Sequence, residues 1–231
     1  MTDASTSTAR ADEQAEVLRQ LEEDIIFGRL APGARLVEDN LMALYGASRH
    51  YIRQALVQLE RTGVVRREKN VGATVRSYSA DEVRQIYEVR EMLTRQAALR
   101  ISLPASPELI ARLTAIQADY IRHAEAGNLT GIHETNDAFH IALFSACGNP
   151  LLVRTLQDYM GLTLPMRAKN LADREGLALS RRQHDIMIAL LQGTDGWALA
   201  QLCVDHMQYS EADYLARTAS NERAAHLGIA D

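Results

Sequence analysis

The stretch Ser48-Arg49-His50-Tyr51-Ile52-Arg53-Gln54-Ala55-Leu56-Val57-Gln58-Leu59-Glu60 constrains this chain more than any other. Ser48 offers a side-chain oxygen to the free N–H groups that open a helix. Ile52, Ala55, Leu56 and Leu59 then recur at helical spacing, which predicts one face packed on a small core. Arg49 and Arg53 stand one turn apart on the opposite face. A guanidinium fork there can pair with the O6 and N7 acceptors of guanine or clamp a phosphate; the plainer reading of the helix alone is a solvated charged face. The flanks favour DNA. Upstream, Leu36 to Leu44 reads as a short helix with Leu41 and Leu44 inward, and Tyr45-Gly46-Ala47 as a tight turn, so the two helices form a helix-turn-helix. Downstream, Gly63 ends the helix, and Val64 to Arg76 reads as two short strands around a basic Asn/Gly tip, a wing.

Charge agrees with that reading. From Gly46 to Arg76, Arg49, Arg53, Arg61, Arg66, Arg67, Lys69 and Arg76 face only Glu60 and Glu68, while the 231-residue chain carries a net charge of -5. Phosphates respond to the local excess.

The segment Ile26 to Glu38 with Pro32-Gly33, then Ser48-Arg49, Arg53, Ala55-Leu56, Leu59-Glu60 and Gly63-Val64-Val65, resembles the GntR family of bacterial winged-helix transcription regulators over the first third of the chain. His50-Tyr51 stands where the family usually has Thr-Pro, and Gln54 where it has Glu. Pro32-Gly33 reads as the turn between the first two helices, and Glu38 lies in the first turn of the second, near the positive end of its dipole. The resemblance implies DNA contacts from Arg35, Ser48, Arg49, His50, Arg53 and the wing residue Gly72.

Composition is that of a globular chain able to bury a core, with 47% hydrophobic and 24% charged residues. No apolar run is long enough to span a bilayer, and residues 1–11 are Ser/Thr-rich, so they are expected to form a disordered, untargeted tail on a cytoplasmic protein. Cys147 and Cys203 lie in apolar helical patterns and read as small buried thiols. Trp197, the single tryptophan, reads as a core or interface residue.

After Arg76 the strand-like residues give way to amphipathic segments at Ala80–Ser102, Pro107–Ala126, Thr130–Cys147, Pro150–Leu171, Glu175–Gln192 and Thr194–Thr218, punctuated by Pro and Gly. The predicted fold is mainly α. It has a winged helix-turn-helix of three helices plus a hairpin over residues 12–76, a linker at 77–79, an all-helical bundle of about six helices over 80–218, and a tail at 219–231.

Three histidines of the bundle have a telling placement. His140 follows Asn136 by four, so both project from one helix face. His184 and His206 lie on the last two helices, which a short turn should set antiparallel. Converging imidazoles suit a divalent ion, whereas any one of them alone reads more simply as a hydrogen-bonded core histidine. His50, His123, His133 and His226 lack this pattern.

Asn136-Asp137-Ala138-Phe139-His140, Gly148-Asn149-Pro150-Leu151, His184 and His206 resemble the ligand-binding FCD domain of the FadR-type subfamily, over nearly all of the remaining chain. In metal-binding members an Asp and three His hold zinc, nickel or a similar ion, and a small organic acid binds at it. The resemblance implies a metal set of Asn136, His140, His184 and His206, with Asn136 in the place of the usual Asp and hence a weaker site. It also implies Arg90, on the segment Ile86 to Leu93, as the partner of an effector carboxylate. The expectation is a homodimeric regulator, a repressor of a metabolic operon, that binds a palindromic DNA operator and responds to a small carboxylate. A metal-dependent enzyme with a localising N-terminal domain and an architectural DNA-binding protein are the other readings. The sequence offers the first of these no convincing general base and no His-Glu-x-x-His arrangement.

Overall fold

The computed structural model describes residues 3–68, 72–167 and 173–226, with side chains over 13–67, 72–167 and 173–220. The chain divides into two compact units, Met1–Ser77 and Tyr78–Asp231.

In the first unit, α1 (Asp3–Ile26) packs on α3 (Arg49–Arg61), with α2 (Glu38–Tyr45) between them in sequence. Strands β1 (Arg35–Leu36), β2 (Val65–Glu68) and β3 (Gly72–Val75) form an antiparallel sheet in the order β1-β3-β2. Ile52, Ala55, Leu56 and Leu59 are all buried with Val17, Leu21, Leu41 and Val64, as the α3 stripe predicts. The wing pairs Val65 with Val75 and Glu68 with Gly72, and the basic tip at 69–71 lies outside the described residues.

Four local expectations change here. Arg35 and Leu36 form a strand paired with Thr74 and Ala73, so the second helix starts at Glu38 rather than Leu36. Leu44 is exposed; Tyr45 takes the inward position one residue later, its hydroxyl donating to Asp24 Oδ2 at 2.8 Å. The expected tail at 1–11 is helical from Asp3, in a stretch with no Gly or Pro before Gly28 to stop α1. At the other end the last helix continues past the expected tail boundary to His226, again through residues free of Gly and Pro.

The second unit holds α4 (Ala80–Leu99), α5 (Pro107–Glu125), α6 (Leu129–Ser145), α7 (Pro150–Leu162), α8 (Arg174–Leu191) and α9 (Gly196–His226). Helix α4 packs along α9, and α5 along α6. Their main core includes Ala97, Leu113, Phe139, Leu143, Leu156, Met187, Leu191, Leu199 and Cys203. Cys147 and Cys203 are buried free thiols. Trp197 is 69% exposed and lies outside the cores formed by the described residues. The expected helix 150–171 stops at Leu162, since Pro165 has no N–H for the preceding turn; Thr163 is a turn residue before a short helical stretch at 164–167. Among the described residues, no helix is long and apolar enough to cross a membrane.

The expected linker is structured on its second-unit side. Tyr78 is buried with Val83, Tyr87, Val204 and Met207, and Ser79 caps α4 in a reciprocal box with Glu82. Replacing the cap in Ser79→Ala is expected to destabilise the helical unit by about 1 kcal/mol, measured by urea unfolding.

Candidate functional site

Two surfaces collect the residues singled out in the sequence. The first is the exposed face of α3. Ser48 caps it, accepting from Tyr51 N–H at 3.5 Å, and Arg49, His50 and Arg53 are exposed. The arginines are not loose. Arg53 Nε donates to Glu38 Oε1 and Oε2 at 2.9 and 3.0 Å. Arg49 donates through one Nη to Glu38 at 3.2 Å and through the other to Asp39. Arg53 is the main cause holding the Glu38 carboxyl below its ordinary pKa. Arg35 on β1 and Gly72 on β3 both line a cleft beside Glu38 and Leu56.

The second site lies in the helical unit, among α4, α5, α6, α8 and α9. Asn136 and His140 come from α6, His184 from α8, His206 from α9 and Arg90 from α4; His206 is half-buried and the other four are buried. His140 Nε2 lies 3.0 Å from His206 Nε2 and 3.4 Å from His184 Nε2, and the ligand atoms of the three rings fall within 4.8 Å of one another. Ligands about 2.0–2.1 Å from one ion at tetrahedral or octahedral angles stand roughly 2.9–3.4 Å apart, the spacing of His140 from each neighbour, while the His184–His206 pair falls only within the wider 4.8 Å and would close slightly around a divalent cation.

Protonation is strongly constrained. Burial, then the neighbouring histidines, pushes His140 and His184 well below the ordinary histidine value. Burial, with Arg90 and Arg167 nearby, pushes His206 down to about 3. The rings are neutral at pH 7, each with one nitrogen lone pair. His184 Nδ1 faces Gln117 Oε1 at 3.0 Å, and His206 Nδ1 faces Gln183 Oε1 at 2.8 Å. An amide oxygen only accepts, so His184 carries its proton on Nδ1 and turns the Nε2 lone pair inward, and His206 does the same with the Gln183 amide oxygen facing it. Gln117 is itself fixed, its amide donating to Arg181 O and Asp185 Oδ1 at 3.0 Å each. A proton on His140 Nε2 would lie between these lone pairs. Asn136 Oδ1 is buried and has no partner among the described residues, a donor fit for a fourth ligand.

A cavity of about 40 Å³ adjoins the cluster, lined by residues including Arg90, Asn136, His140, Arg167 and His206. Arg90 donates to Thr163 Oγ1 at 2.8 Å, while its buried Nε lacks a hydrogen-bond partner among the described residues; burial pushes the guanidinium down to about 10. It is therefore not part of a surface ion pair. Arg167, not foreseen in the sequence, forms a two-pronged pair with Asp137 at 2.5 and 3.0 Å. Although burial raises the Asp137 carboxyl, Arg167 outweighs it and holds the pKa low. His133 Nε2 lies 3.8 Å from the same carboxylate. Asp137 is thus taken up beside the cluster, and Asn136 lines the cavity together with His140.

The comparisons agree with this division. Residues 13–75 match the family described as bacterial regulatory proteins, gntR family, and residues 85–209 match the FCD domain. The HTH-type transcriptional repressor RspR of Escherichia coli strain K12 is 23% identical over 198 residues, covering 84% of this chain and 85% of that protein. Among solved structures, E. coli McbR/YncC superposes with a TM-score of 0.70 at 20% identity, covering 90% of this chain and 98% of that one. A putative GntR transcriptional regulator from Rhodococcus sp. RHA1 gives 0.64 at 20% identity, with the same coverage. These likenesses bear on the fold.

The hydrogen bonds make a direct prediction for the metal-free protein. At pH 7, long-range proton–nitrogen NMR spectra should find His184 and His206 protonated on Nδ1 and bare on Nε2; protonated Nε2 on both would contradict the arrangement.

Proposed function

Because the chain belongs to the gntR family of bacterial regulatory proteins and carries an FCD domain, a regulator rather than an enzyme, we propose that it represses a metabolic operon under control of a small carboxylate. The observation that carries the effector half of this reading is the meeting of three neutral imidazoles with a buried, incompletely partnered Arg90.

His140, His184 and His206 would hold one divalent ion, zinc or nickel, with Asn136 Oδ1 as the fourth protein donor. When bound, the ion supplies a Lewis-acidic positive centre. All four donors are neutral, so they leave its charge uncompensated, and Arg90 adds another positive charge. Asp137 is engaged by Arg167 and offsets that guanidinium instead. An anion is the natural remaining component. A carboxylate has two oxygens for a guanidinium and a cation, and the small cavity favours an acid of few heavy atoms.

On the DNA side, Arg49 and Arg53 are the proposed readers of base edges or phosphates, with Arg35, Ser48, His50 and Gly72 supporting them. One short recognition helix and one wing give a small footprint. A homodimer on a palindromic operator would pair two half-sites about one turn of DNA apart. The acid can change DNA affinity only as far as it prefers one arrangement of the protein over another. Within the helical unit, a packed route leads from the effector site toward the chain's entry point. Tyr78 is buried with Tyr87 and Met207; Tyr87 lies one turn before Arg90, and Met207 follows His206.

Calorimetry of zinc-loaded protein against small carboxylic acids and neutral analogues tests the effector assignment. At least one acid should bind more tightly than its analogue, and Arg90→Ala should weaken it roughly tenfold to a hundredfold. Equal affinity for acid and analogue, or acid binding undiminished in Arg90→Ala, would remove the assignment.

A further inference from the structure

Glu38 enters the sequence reading only as an acidic residue at a helix start, yet it is the hub of the DNA-facing charges. Its carboxylate accepts Arg53 Nε through both oxygens and one Arg49 Nη group. Its side chain is 24% exposed, whereas those of Arg49 and Arg53 are 47% and 59% exposed. The two arginines are held differently. Arg53 is engaged through Nε, and its two Nη groups have no hydrogen-bond partner among the described residues. That is the edge that meets the O6 and N7 acceptors of guanine. Arg49 has both Nη groups engaged, by Glu38 and Asp39, and only its Nε remains.

We propose that Glu38 is a specificity-determining, positioning residue: it orients Arg53 for base reading and makes both arginines poor partners for phosphate at random sites. The proposal rests on the reading of Arg49 and Arg53 as DNA-contacting residues. A guanine can engage the Arg53 Nη edge while Nε stays on Glu38, so the matched site keeps the carboxylate contact. A backbone phosphate competing for the same guanidinium instead meets a carboxylate already in place, and like charges brought together are unfavourable. Glu38 therefore weakens binding to every DNA and weakens mismatched DNA most, which is how a repulsive element increases discrimination. Asp39 adds to the hold on Arg49 but does not touch Arg53, so its removal should affect total affinity more than selectivity.

The test uses the full chain and two duplexes, one selected by the unmodified protein from a random-sequence library and one a shuffled duplex of the same composition. Affinity is measured for both at fixed salt. Glu38→Gln keeps the shape and removes the charge. It is expected to bind the shuffled duplex more than about tenfold more tightly and to gain less on the selected duplex, lowering the selected-to-shuffled ratio about tenfold, with Glu38→Asp restoring part of that ratio. In an Arg53→Ala background, Glu38→Gln should change the ratio little, because the residue acts through Arg53; a helix-capping role would give the same change in both backgrounds. An unchanged ratio in Glu38→Gln, where Arg53→Ala does lower it, overturns the role of Glu38 and leaves the DNA reading standing. Full selectivity in Arg53→Ala counts against the DNA reading itself. Should Glu38→Gln lose its helical circular-dichroism signal, Asp39→Asn decides: higher affinity for both duplexes with the ratio kept supports the division of roles, and a ratio that falls as far as predicted for Glu38→Gln overturns it.

Discussion

Three imidazole nitrogens brought together inside the helical unit set the terms for it. Each ring is too deeply buried to be charged at neutral pH, and two of the three have their inward nitrogen left bare by a glutamine on the outer one. Lone pairs facing one another repel unless a proton or a cation lies between them. The surroundings hold the rings there: Phe139 stacks on His184 at 4.1 Å and lies edge-on to His140, and Tyr120 meets His184 edge-on. The cluster ties α6, α8 and α9 together, with α5 engaged through Gln117, so the polar centre is part of what fixes the packing.

Charge around that centre is unevenly balanced. Arg167 and Asp137 neutralise each other, whereas Arg90 has a hydroxyl and an aromatic face as its partners, the Tyr87 ring centroid lying 5.7 Å away. A cation held by neutral donors adds to the imbalance, and an anion corrects it. The proposed DNA-binding face shows the opposite arrangement, since its arginines already have carboxylates beside them.

Much of this was legible in the residues. The apolar stripe of α3 and the four-residue step from Asn136 to His140 are local patterns, and helical periodicity translates them directly into faces. Gln117 and Gln183 were not legible as tautomer locks, because a glutamine has no distinctive spacing and Gln117 acts on a ring 67 positions away. Arg167 was missed for a related reason: its partner, Asp137, lies 30 positions earlier on another helix. Pro165 was a visible stop signal within the expected fourth bundle helix, and the apolar pattern around it overrode that signal. Strand β1 has only two residues, too short for alternation to declare it. Trp197 failed as a core residue because apolar character alone does not say which side of a helix is covered.

X-ray absorption spectroscopy of the full-length protein loaded with one equivalent of zinc or nickel tests the central claim most directly. The account predicts three imidazole nitrogens in the inner coordination sphere at about 2.0–2.1 Å for zinc, with oxygen donors completing it. A spectrum with fewer than three imidazoles, or one matching the hydrated ion, would contradict it.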